Sequence, residues 1–238
     1  LMLPWLWSKR HDIKPHWKVL LSVALLGGGA QLAFNTALIY GDVIRVMVLF
    51  YLLPIWGVLG GRLFLGETVD KGRWLGVGLA ISGAFLIVGG MNAFITPPSW
   101  IDDLALLSCF LLSMNNIVFR VSQTVSIRLK ITFMFFGSVV LSATILLFQP
   151  EPPVFDVSGL AWMMLFLYGA VWMMFANFGT QWAVTHLEVG RSSIILIMEL
   201  VTAVVSASLI LGERMLPLEM LGGSLILIAA FIEARRSA

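Results

Sequence analysis

The sequence is poor in charge, cysteine and histidine. Of its 238 residues only 12% are charged and 59% are hydrophobic, whereas a soluble domain carries about 25% charged residues. No soluble core can bury so much apolar surface, so the composition excludes a soluble domain and predicts a protein of the lipid bilayer. The single cysteine, Cys109, excludes a disulfide framework. The formal net charge of +2 gives no reason to expect nucleic acid as a partner.

Motifs for enzymatic chemistry are also missing. His11, His16 and His186 are too far apart in the sequence to suggest a metal site, and Asp102-Asp103 has no second acidic cluster. We find no Gly-rich phosphate loop with a lysine, no zinc-protease helix and no nucleophile elbow. The sequence therefore predicts no catalytic residue, no metal and no cofactor.

What the sequence does contain is an internal repeat. Leu65-Gly66-Glu67 recurs as Leu211-Gly212-Glu213, which lies 146 positions later. The same offset pairs Leu75-Gly76 with Leu221-Gly222, and no gap is needed anywhere. An ungapped repeat in an apolar chain is typical of transporters that are built from two halves.

Eight apolar segments are predicted to cross the bilayer as helices, which need about 20 residues each. They cover residues 17–40, 43–65, 74–90, 104–121, 131–148, 160–185, 192–211 and 216–232. Pro54 is expected to kink the second of them. The polar joint 91–103 marks the boundary between a first repeat, 1–95, and a second, 96–238. The predicted fold class is an all-α polytopic membrane protein.

The basic residues are concentrated on one side of these spans. When the loops are numbered alternately, all but two of the 15 lysines and arginines fall on the same side, the exceptions being Arg45 and Arg214. The positive-inside rule makes that side cytoplasmic, together with the C-terminus. Glu67 then lies at the cytoplasmic surface and Glu213 at the opposite one, so the repeats are inverted. We interpret both glutamates as solvated charges at helix ends.

The repeat offset also bears on the start of the chain. Leu1 falls on Leu147 and Pro4 on Pro150, at the end of an apolar helix, and the second half has two helices up to that point. Their first-half equivalents would lie before residue 1. We therefore expect two helices, roughly 50 residues, to be missing from the first of two five-helix repeats.

Paired amides inside the spans mark the expected substrate site. Gln31 and Asn35 lie four residues apart on one helix face, and the offset places them on Asn177 and Gln181. An unpaired amide in hydrocarbon costs several kcal/mol, so these faces point into the bundle or into a wet cavity. Two interpretations stay open, because the amides either line a cavity or hold helices together by hydrogen bonds.

Glu199 lies in the middle of a span, with no cationic residue within a turn or two. An ionisable side chain there is costly, and by default it marks a functional site. Its carboxyl group is a candidate proton carrier for coupled transport, or alternatively a neutral, hydrogen-bonded acid with a structural role. The first-half equivalent is Leu53, so a proton site would be asymmetric.

Further substrate contacts are expected from aromatic and amide side chains elsewhere. Most of the nine tryptophans and 16 phenylalanines belong to interfacial belts or to the lipid-facing surface. Tyr51, Trp56 and Trp172 lie deeper in the spans or near the amides and are candidates for a cavity wall. Asn115 and Asn116, late in the fourth span, complete the candidate set.

These motifs resemble those of a known family. The run from Tyr51 through Leu65-Gly66-Glu67, and its counterpart from Met198-Glu199 through Leu211-Gly212-Glu213, are similar to the two repeats of the EamA-type drug/metabolite transporter superfamily. The resemblance implies ten helices in two inverted five-helix repeats, of which this chain would lack helices one and two. That family often has Glu-Pro where this chain has Glu199-Leu200. The departure removes the usual reason to expect a helix break near Glu199.

The resemblance implies a secondary transporter rather than an enzyme. It would export amino acids or related small metabolites across the bacterial inner membrane by alternating access, with the four paired amides binding substrate and Glu199 coupling transport or recognising an amine. A polytopic membrane enzyme, an assembly factor and a non-transporting fragment are the alternatives. The expected partners are the substrate and the bilayer, and a homodimer stays open. Without two cavity-wall helices, the chain by itself is expected to be inactive or misassembled.

Overall fold

The computed structural model describes residues 10–87, 97–148, 158–211 and 216–235. Every regular element in these ranges is helical. The helices are α1 (Arg10–Tyr40), α2 (Val43–Phe50), α3 (Leu53–Leu65), α4 (Lys71–Ile87), α5 (Trp100–Val121), α6 (Ile127–Leu147), α7 (Gly159–Leu167), α8 (Met174–His186), α9 (Val189–Leu196), α10 (Met198–Leu211) and α11 (Pro217–Arg235). A π-helical turn, Tyr168–Met173, joins α7 to α8. The predicted all-α fold class is confirmed.

Six helical segments in the described ranges are long and apolar enough to cross a bilayer. They are Ile13–Tyr40, Arg45–Leu65, Trp100–Val121, Ile127–Leu147, Gly159–His186 and Pro217–Arg235. The other two predicted spans correspond to α4, which has 17 residues, and to α9 with α10. Residues 88–90, which were predicted to end the α4 span, lie outside the described residues. The chain is a multi-pass membrane protein.

The repeat of 146 positions reappears in the helix boundaries. Four pairs of boundaries agree at this offset: the ends of α1 and α8 (Tyr40 and His186), the whole of α2 and α9, the ends of α3 and α10 (Leu65 and Leu211), and the starts of α4 and α11 (Lys71 and Pro217). The two halves of the chain therefore fold alike. The proposed repeat boundary between 95 and 96 falls among residues 88–96, outside the described ranges, and stays a prediction.

The equivalent helices α4 and α11 pack against each other in antiparallel orientation. Arg73, near the start of α4, contacts Glu233, near the end of α11. At the opposite end of α4, Ile87 lies beside Gly222, near the start of α11. Helices at equivalent repeat positions run in opposite directions when the repeats are inverted. The predicted inverted arrangement is confirmed.

Two glycines allow α4 and α11 to approach at their backbones. A Cβ atom on Gly83 would lie 2.5 Å from the Gly222 carbonyl oxygen, and a Cβ on Gly222 would lie 2.5 Å from the Gly83 carbonyl oxygen. Neither separation is sterically allowed, so any larger residue would push the helices apart. Small and branched residues, Ala80, Ala84, Ile226 and Ala229, complete this buried contact.

Two of the predicted spans are broken at equivalent places. The first break lies at Tyr51 and Leu52, between α2 and α3, where Pro54 in the first turn of α3 disfavours a continuous helix. The break therefore precedes the predicted kink at Pro54. The second lies at Ile197, between α9 and α10, where the Leu200 N–H donates to the Ile197 carbonyl at 3.0 Å. This tighter, three-residue turn breaks the helix beside Glu199 without a proline.

Candidate functional site

A small cavity lies between the two repeats. Its volume is about 90 Å³, and its polar lining residues are Gln31 of α1 and Asn177 and Gln181 of α8. The apolar lining comes from Gly27, Ala30, Phe34, Phe50, Leu112 and Met134. Pockets for drug-sized ligands are typically larger than about 300 Å³, so this cavity suits one small polar group or a few waters.

Three of the four predicted amides meet at this cavity. The Ser138 Oγ donates to Gln31 Oε1 at 2.7 Å, and Asn177 Nδ2 donates to the Met173 carbonyl at 2.9 Å. Gln181 is 2% exposed, and its Oε1 has no hydrogen-bond partner among the described residues. A buried acceptor left without a donor costs about 1–3 kcal/mol. Gln181 Oε1 is therefore an acceptor that a ligand or water can use.

The π-helical turn Tyr168–Met173 ends four positions before Asn177 in the chain. Its first-half equivalent, residues 22–27, is regular α-helix within α1. π-Helical turns occur frequently at functional sites, because they re-aim side chains and carbonyls. Here the last residue of the turn, Met173, provides the carbonyl that accepts from Asn177. The turn thus helps to position one wall of the cavity.

Asn115 extends the polar wall of the cavity. A Cβ built on Gly27, a lining residue, would lie 2.8 Å from Asn115 Oδ1. Asn115 and the adjacent Asn116 are 0% and 1% exposed. Neither amide has a hydrogen-bond partner for its oxygen or nitrogen within the described part of the chain. These two side chains are unsatisfied polar groups, and Asn115 lies at the edge of the cavity.

Asn35, Trp56 and Trp172 lie outside the cavity lining that the described residues define. Four residues advance a helix by about 6 Å and turn it by about 40°, and Asn35 is exposed one turn beyond Gln31. Trp56 packs edge to face against Phe110, with ring centroids 5.2 Å apart. Trp172 is 64% exposed on the outer surface of the π-helical turn. The predicted substrate contacts of Asn35, Trp56 and Trp172 stay predictions.

Tyr51 and Glu199 form a pair that the sequence did not predict. Tyr51 is 5% exposed, and its Oη donates to Glu199 Oε1 at 2.8 Å. Apart from this contact, Glu199 is an exposed residue. Tyr51 lies in the first helix break, and Glu199 follows the second. The centroid of the Phe50 ring, which lines the cavity, lies 5.8 Å from that of the Tyr51 ring, so Tyr51 packs beside one residue of the cavity wall.

Glu67 is not the solvated helix-end charge that the sequence predicts. Gly66 ends α3 in the left-handed conformation, with φ 69° and ψ 21°, and turns the chain back so that Glu67 faces α9. The Glu67 side chain is only 7% exposed. It accepts from the backbone N–H groups of Val189 at 2.7 Å and Gly190 at 3.3 Å. A carboxylate there satisfies N–H groups of the first turn of α9.

The repeated Leu-Gly-Glu motif therefore has a structural explanation in its first copy. The glycine ends a helix, and the glutamate caps a helix of the other repeat. The sequence indicated the motif but not its contact, because Glu67 and Val189 are separated by 122 positions. The second copy, Gly212-Glu213, lies outside the described residues.

Inverted helical repeats, each with a broken helix and with a polar cavity between them, define the class of membrane transporters. Comparison with known families agrees with this class. A model of the EamA-like transporter family matches residues 1–89 and 99–233. The chain belongs to the EamA-like transporter family.

Curated relatives match shorter stretches. An "Uncharacterized transporter in cobO 3'region" of Sinorhizobium sp is 37% identical over 82 residues, which are 34% of this chain and 58% of that protein. An "Uncharacterized transporter" of Vibrio cholerae serotype O1 is 37% identical over 73 residues, 31% of this chain and 24% of that protein. The matches thus span between a quarter and three fifths of these relatives.

A solved structure supports the same fold. A crystal structure described only as that of a protein is similar with a TM-score of 0.79 and 17% sequence identity. The similarity covers 91% of this chain and 75% of the other. At this level of identity the similarity shows the fold alone.

Proposed function

We propose that this protein is a secondary transporter of the bacterial inner membrane that exports amino acids or related small metabolites by alternating access. The observation that carries the proposal is the cavity in which Gln31 of the first repeat faces Asn177 and Gln181 of the second. A site at the interface of inverted repeats opens to each side in turn as one repeat rocks against the other.

In this conformation the cavity of about 90 Å³ has room for only one polar group of a substrate, and its chemistry supports a small zwitterionic or neutral substrate. Amide side chains supply both hydrogen-bond donors and acceptors, and the N–H groups suit a carboxylate. Among the described lining residues none is cationic, so a phosphorylated or polyanionic solute would lack a counter-charge. Glu199, which accepts a hydrogen bond from Tyr51 next to Phe50 of the cavity wall, is the proposed carboxyl group for an ammonium. The rings of Phe34 and Phe50 suit an apolar side chain.

Glu199 is the proposed coupling residue, and Tyr51 is a positioning residue for it. The 2.8 Å hydrogen bond fixes the carboxyl group at the junction of the two helix breaks. A proton or a substrate ammonium that binds the Glu199 carboxylate changes the strength of its hydrogen bond with Tyr51. Binding at Glu199 is thereby linked to the relative position of the repeats.

The orientation proposal rests on the basic side of the bundle. Arg73, Arg120 and Arg191 are part of the same end of the molecule, where they contact Glu233, the Thr185 carbonyl and the Ala234 carbonyl. The positive-inside rule assigns this end to the cytoplasm. α11 ends with Arg235 at this same end, and on that basis we propose a cytoplasmic C-terminus.

Untargeted metabolite profiling of the growth medium tests the export proposal. Cells that express the complete gene are compared with cells that express Glu199→Gln and with empty cells. We expect one class of small amine-containing metabolite to accumulate in the medium only with the wild-type protein. Medium that matches that of empty cells, despite good membrane expression, would contradict export. Accumulation that is equal in both expressing strains would support transport and exclude Glu199 from coupling.

A further inference from the structure

We propose that a buried ion cluster at the basic end of the bundle is the gate that closes the transport path on the cytoplasmic side. We call it the Arg73 cluster, and it consists of Arg73, Glu67, Glu188 and Glu233. The inference rests on the proposed alternating-access function and adds the contact that such a transporter must break. None of these residues lines the cavity described above.

Arg73 is the centre of the cluster. It is 2% exposed, and its Nη2 donates to Glu188 Oε2 and lies 3.0 Å from Glu233 Oε1. Its Nε donates to the same Glu233 oxygen at 3.2 Å, and its Nη1 lies 3.6 Å from Glu67 Oε2. Glu233 is fully buried. Removal of the guanidinium would leave three carboxylates facing one another in a largely buried site, which is strongly unfavourable.

The cluster joins the two repeats. Glu67 and Arg73 belong to the first repeat. Glu67 precedes α4, and Arg73 lies in the first turn of α4. Glu188, the N-cap residue of α9, and Glu233, near the end of α11, belong to the second repeat. Glu67 also caps α9 through the N–H groups of Val189 and Gly190. Any motion that separates the repeats at this end must break these contacts.

The cluster contacts the start of α9, and the end of α9 is close in the chain to Glu199, the proposed coupling residue. α9 begins beside Glu188 and ends after eight residues at the Ile197 break, which precedes Glu199. α9 also packs tightly on the first repeat, since a Cβ on Gly57 would lie 2.0 Å from Ser193 Oγ. A displacement of α9 from Glu67 and Arg73 would therefore change the geometry at Glu199.

The sequence does not repeat the cluster at the positions that the repeat offset relates to it. The repeat offset places Arg73 on Glu219, Glu188 on Asp42 and Glu233 on Ile87. An acidic residue thus replaces the guanidinium, and an apolar one replaces the buried carboxylate. In a transporter with inverted repeats, each repeat adopts the conformation of the other when the protein changes between its inward-facing and outward-facing states. The opposite end carries the Arg45–Asp102 ion pair between the repeats. The larger and more deeply buried Arg73 cluster therefore biases the equilibrium toward closure of its own end.

Cysteine labelling at two equivalent positions tests the gate. Cys109 is the only cysteine, so Cys109→Ala provides a cysteine-free background. Ser192→Cys and Val46→Cys occupy equivalent positions in α9 and α2, at opposite ends, and the native residues are 2% and 1% exposed. The labelling rate of each reporter with a small maleimide is measured in lipid nanodiscs with and without Arg73→Gln. Glu219→Gln, at the equivalent position, is the matched control.

We expect Arg73→Gln to raise the labelling rate of Ser192→Cys at least tenfold and to leave that of Val46→Cys unchanged, whereas Glu219→Gln changes neither. An unchanged Ser192→Cys rate would overturn the gate. An equal rise at both reporters would also overturn it, because general loosening of the fold has that result. Should Arg73→Gln fail to fold, Glu188→Gln replaces it with the same expected outcome, since that carboxylate is 32% exposed.

The labelling assay needs no substrate, so its failure can be separated from failure of the transport proposal. A selective rise at Ser192→Cys in a protein that exports no metabolite would support the gate and contradict the assigned export. Normal export without any labelling change would contradict the gate alone.

Discussion

Tyr51 donates a hydrogen bond to Glu199 at 2.8 Å, and this bond joins the helix breaks of the two inverted repeats. Its partners are 148 positions apart, and the repeat offset does not relate them, because it places Tyr51 on Ile197 and Leu53 on Glu199. The contact is therefore an asymmetric feature of an otherwise symmetric pair of broken helices. Half-helices that end near the midplane are the usual binding elements of inverted-repeat transporters.

Tyr51→Phe tests the positioning role of this bond. The variant keeps the ring and removes the donor, so we expect stability to fall by at most about 1.5 kcal/mol. The transport rate at saturating substrate should fall about tenfold, which corresponds to about 1.4 kcal/mol, because Glu199 is no longer held between the repeats. Tyr40→Phe, at an exposed tyrosine at the end of α1, is the matched control. A Tyr51→Phe transport rate equal to that of wild type would contradict the role.

Gln181→Leu tests the cavity as the substrate site. The Gln181 amide is buried, and its unpaired oxygen is available to a ligand. Loss of one such hydrogen bond costs about 1–3 kcal/mol, so we expect KM for transport to rise at least fivefold with a smaller effect on the maximal rate. Gln123→Leu is the control, because that amide donates to the Thr185 carbonyl outside the cavity. Equal KM values for the two variants would exclude Gln181 from binding.

Gly83→Ala tests the backbone contact between α4 and α11. The new Cβ would lie 2.5 Å from the Gly222 carbonyl oxygen, so we expect destabilisation of about 1–3 kcal/mol from overpacking. Gly78→Ala, on the same helix, meets no atom within 4 Å and should be neutral or stabilising by up to about 1 kcal/mol. Thermal unfolding in detergent measures both. A stability of Gly83→Ala equal to that of Gly78→Ala would show that the helices separate without cost.

Asp102→Ala tests the ion pair that joins α2 to α5. Asp102 accepts from Arg45 through both oxygens, at 2.6 and 2.8 Å, and from the Ser99 N–H at 2.6 Å. Loss of a cap and of a partly buried ion pair should cost about 1–3 kcal/mol in unfolding free energy. The exposed neighbour Asp103 provides the control, since Asp103→Ala removes a charge from the same turn. If both variants unfold at the same temperature, the ion pair contributes no measurable stability.

The sequence predicted the architecture because the repeat and the apolar segments are local signals. The offset of 146 found through Leu65-Gly66-Glu67 also relates the ends of α1 and α8 and the whole of α2 and α9. The amides Gln31, Asn177 and Gln181 could be chosen as candidates because a polar residue in hydrocarbon is costly wherever it lies, and their role in substrate binding stays a prediction. These inferences needed no knowledge of which helices are neighbours.

The remaining features depend on contacts between distant residues. The burial of Glu67 follows from the position of α9, which lies more than 120 positions later in the chain. The second helix break has no proline, and its turn at Ile197 has no signature in the residues around it. The helix faces of Asn35 and Trp172 depend on packing partners, so spacing alone does not assign them. Helical periodicity predicts faces but not the neighbours that cover them.

The most direct test of transport through the amide cavity is counterflow in proteoliposomes. Liposomes that contain the purified complete protein and the exported metabolite are diluted into labelled metabolite, and a pH-sensitive dye inside records proton movement. We expect labelled uptake with the wild-type protein, an uptake rate at least fivefold lower with Gln181→Leu, and loss of the proton signal with Glu199→Gln. Absence of counterflow with wild type, or equal counterflow with Gln181→Leu, would contradict the account.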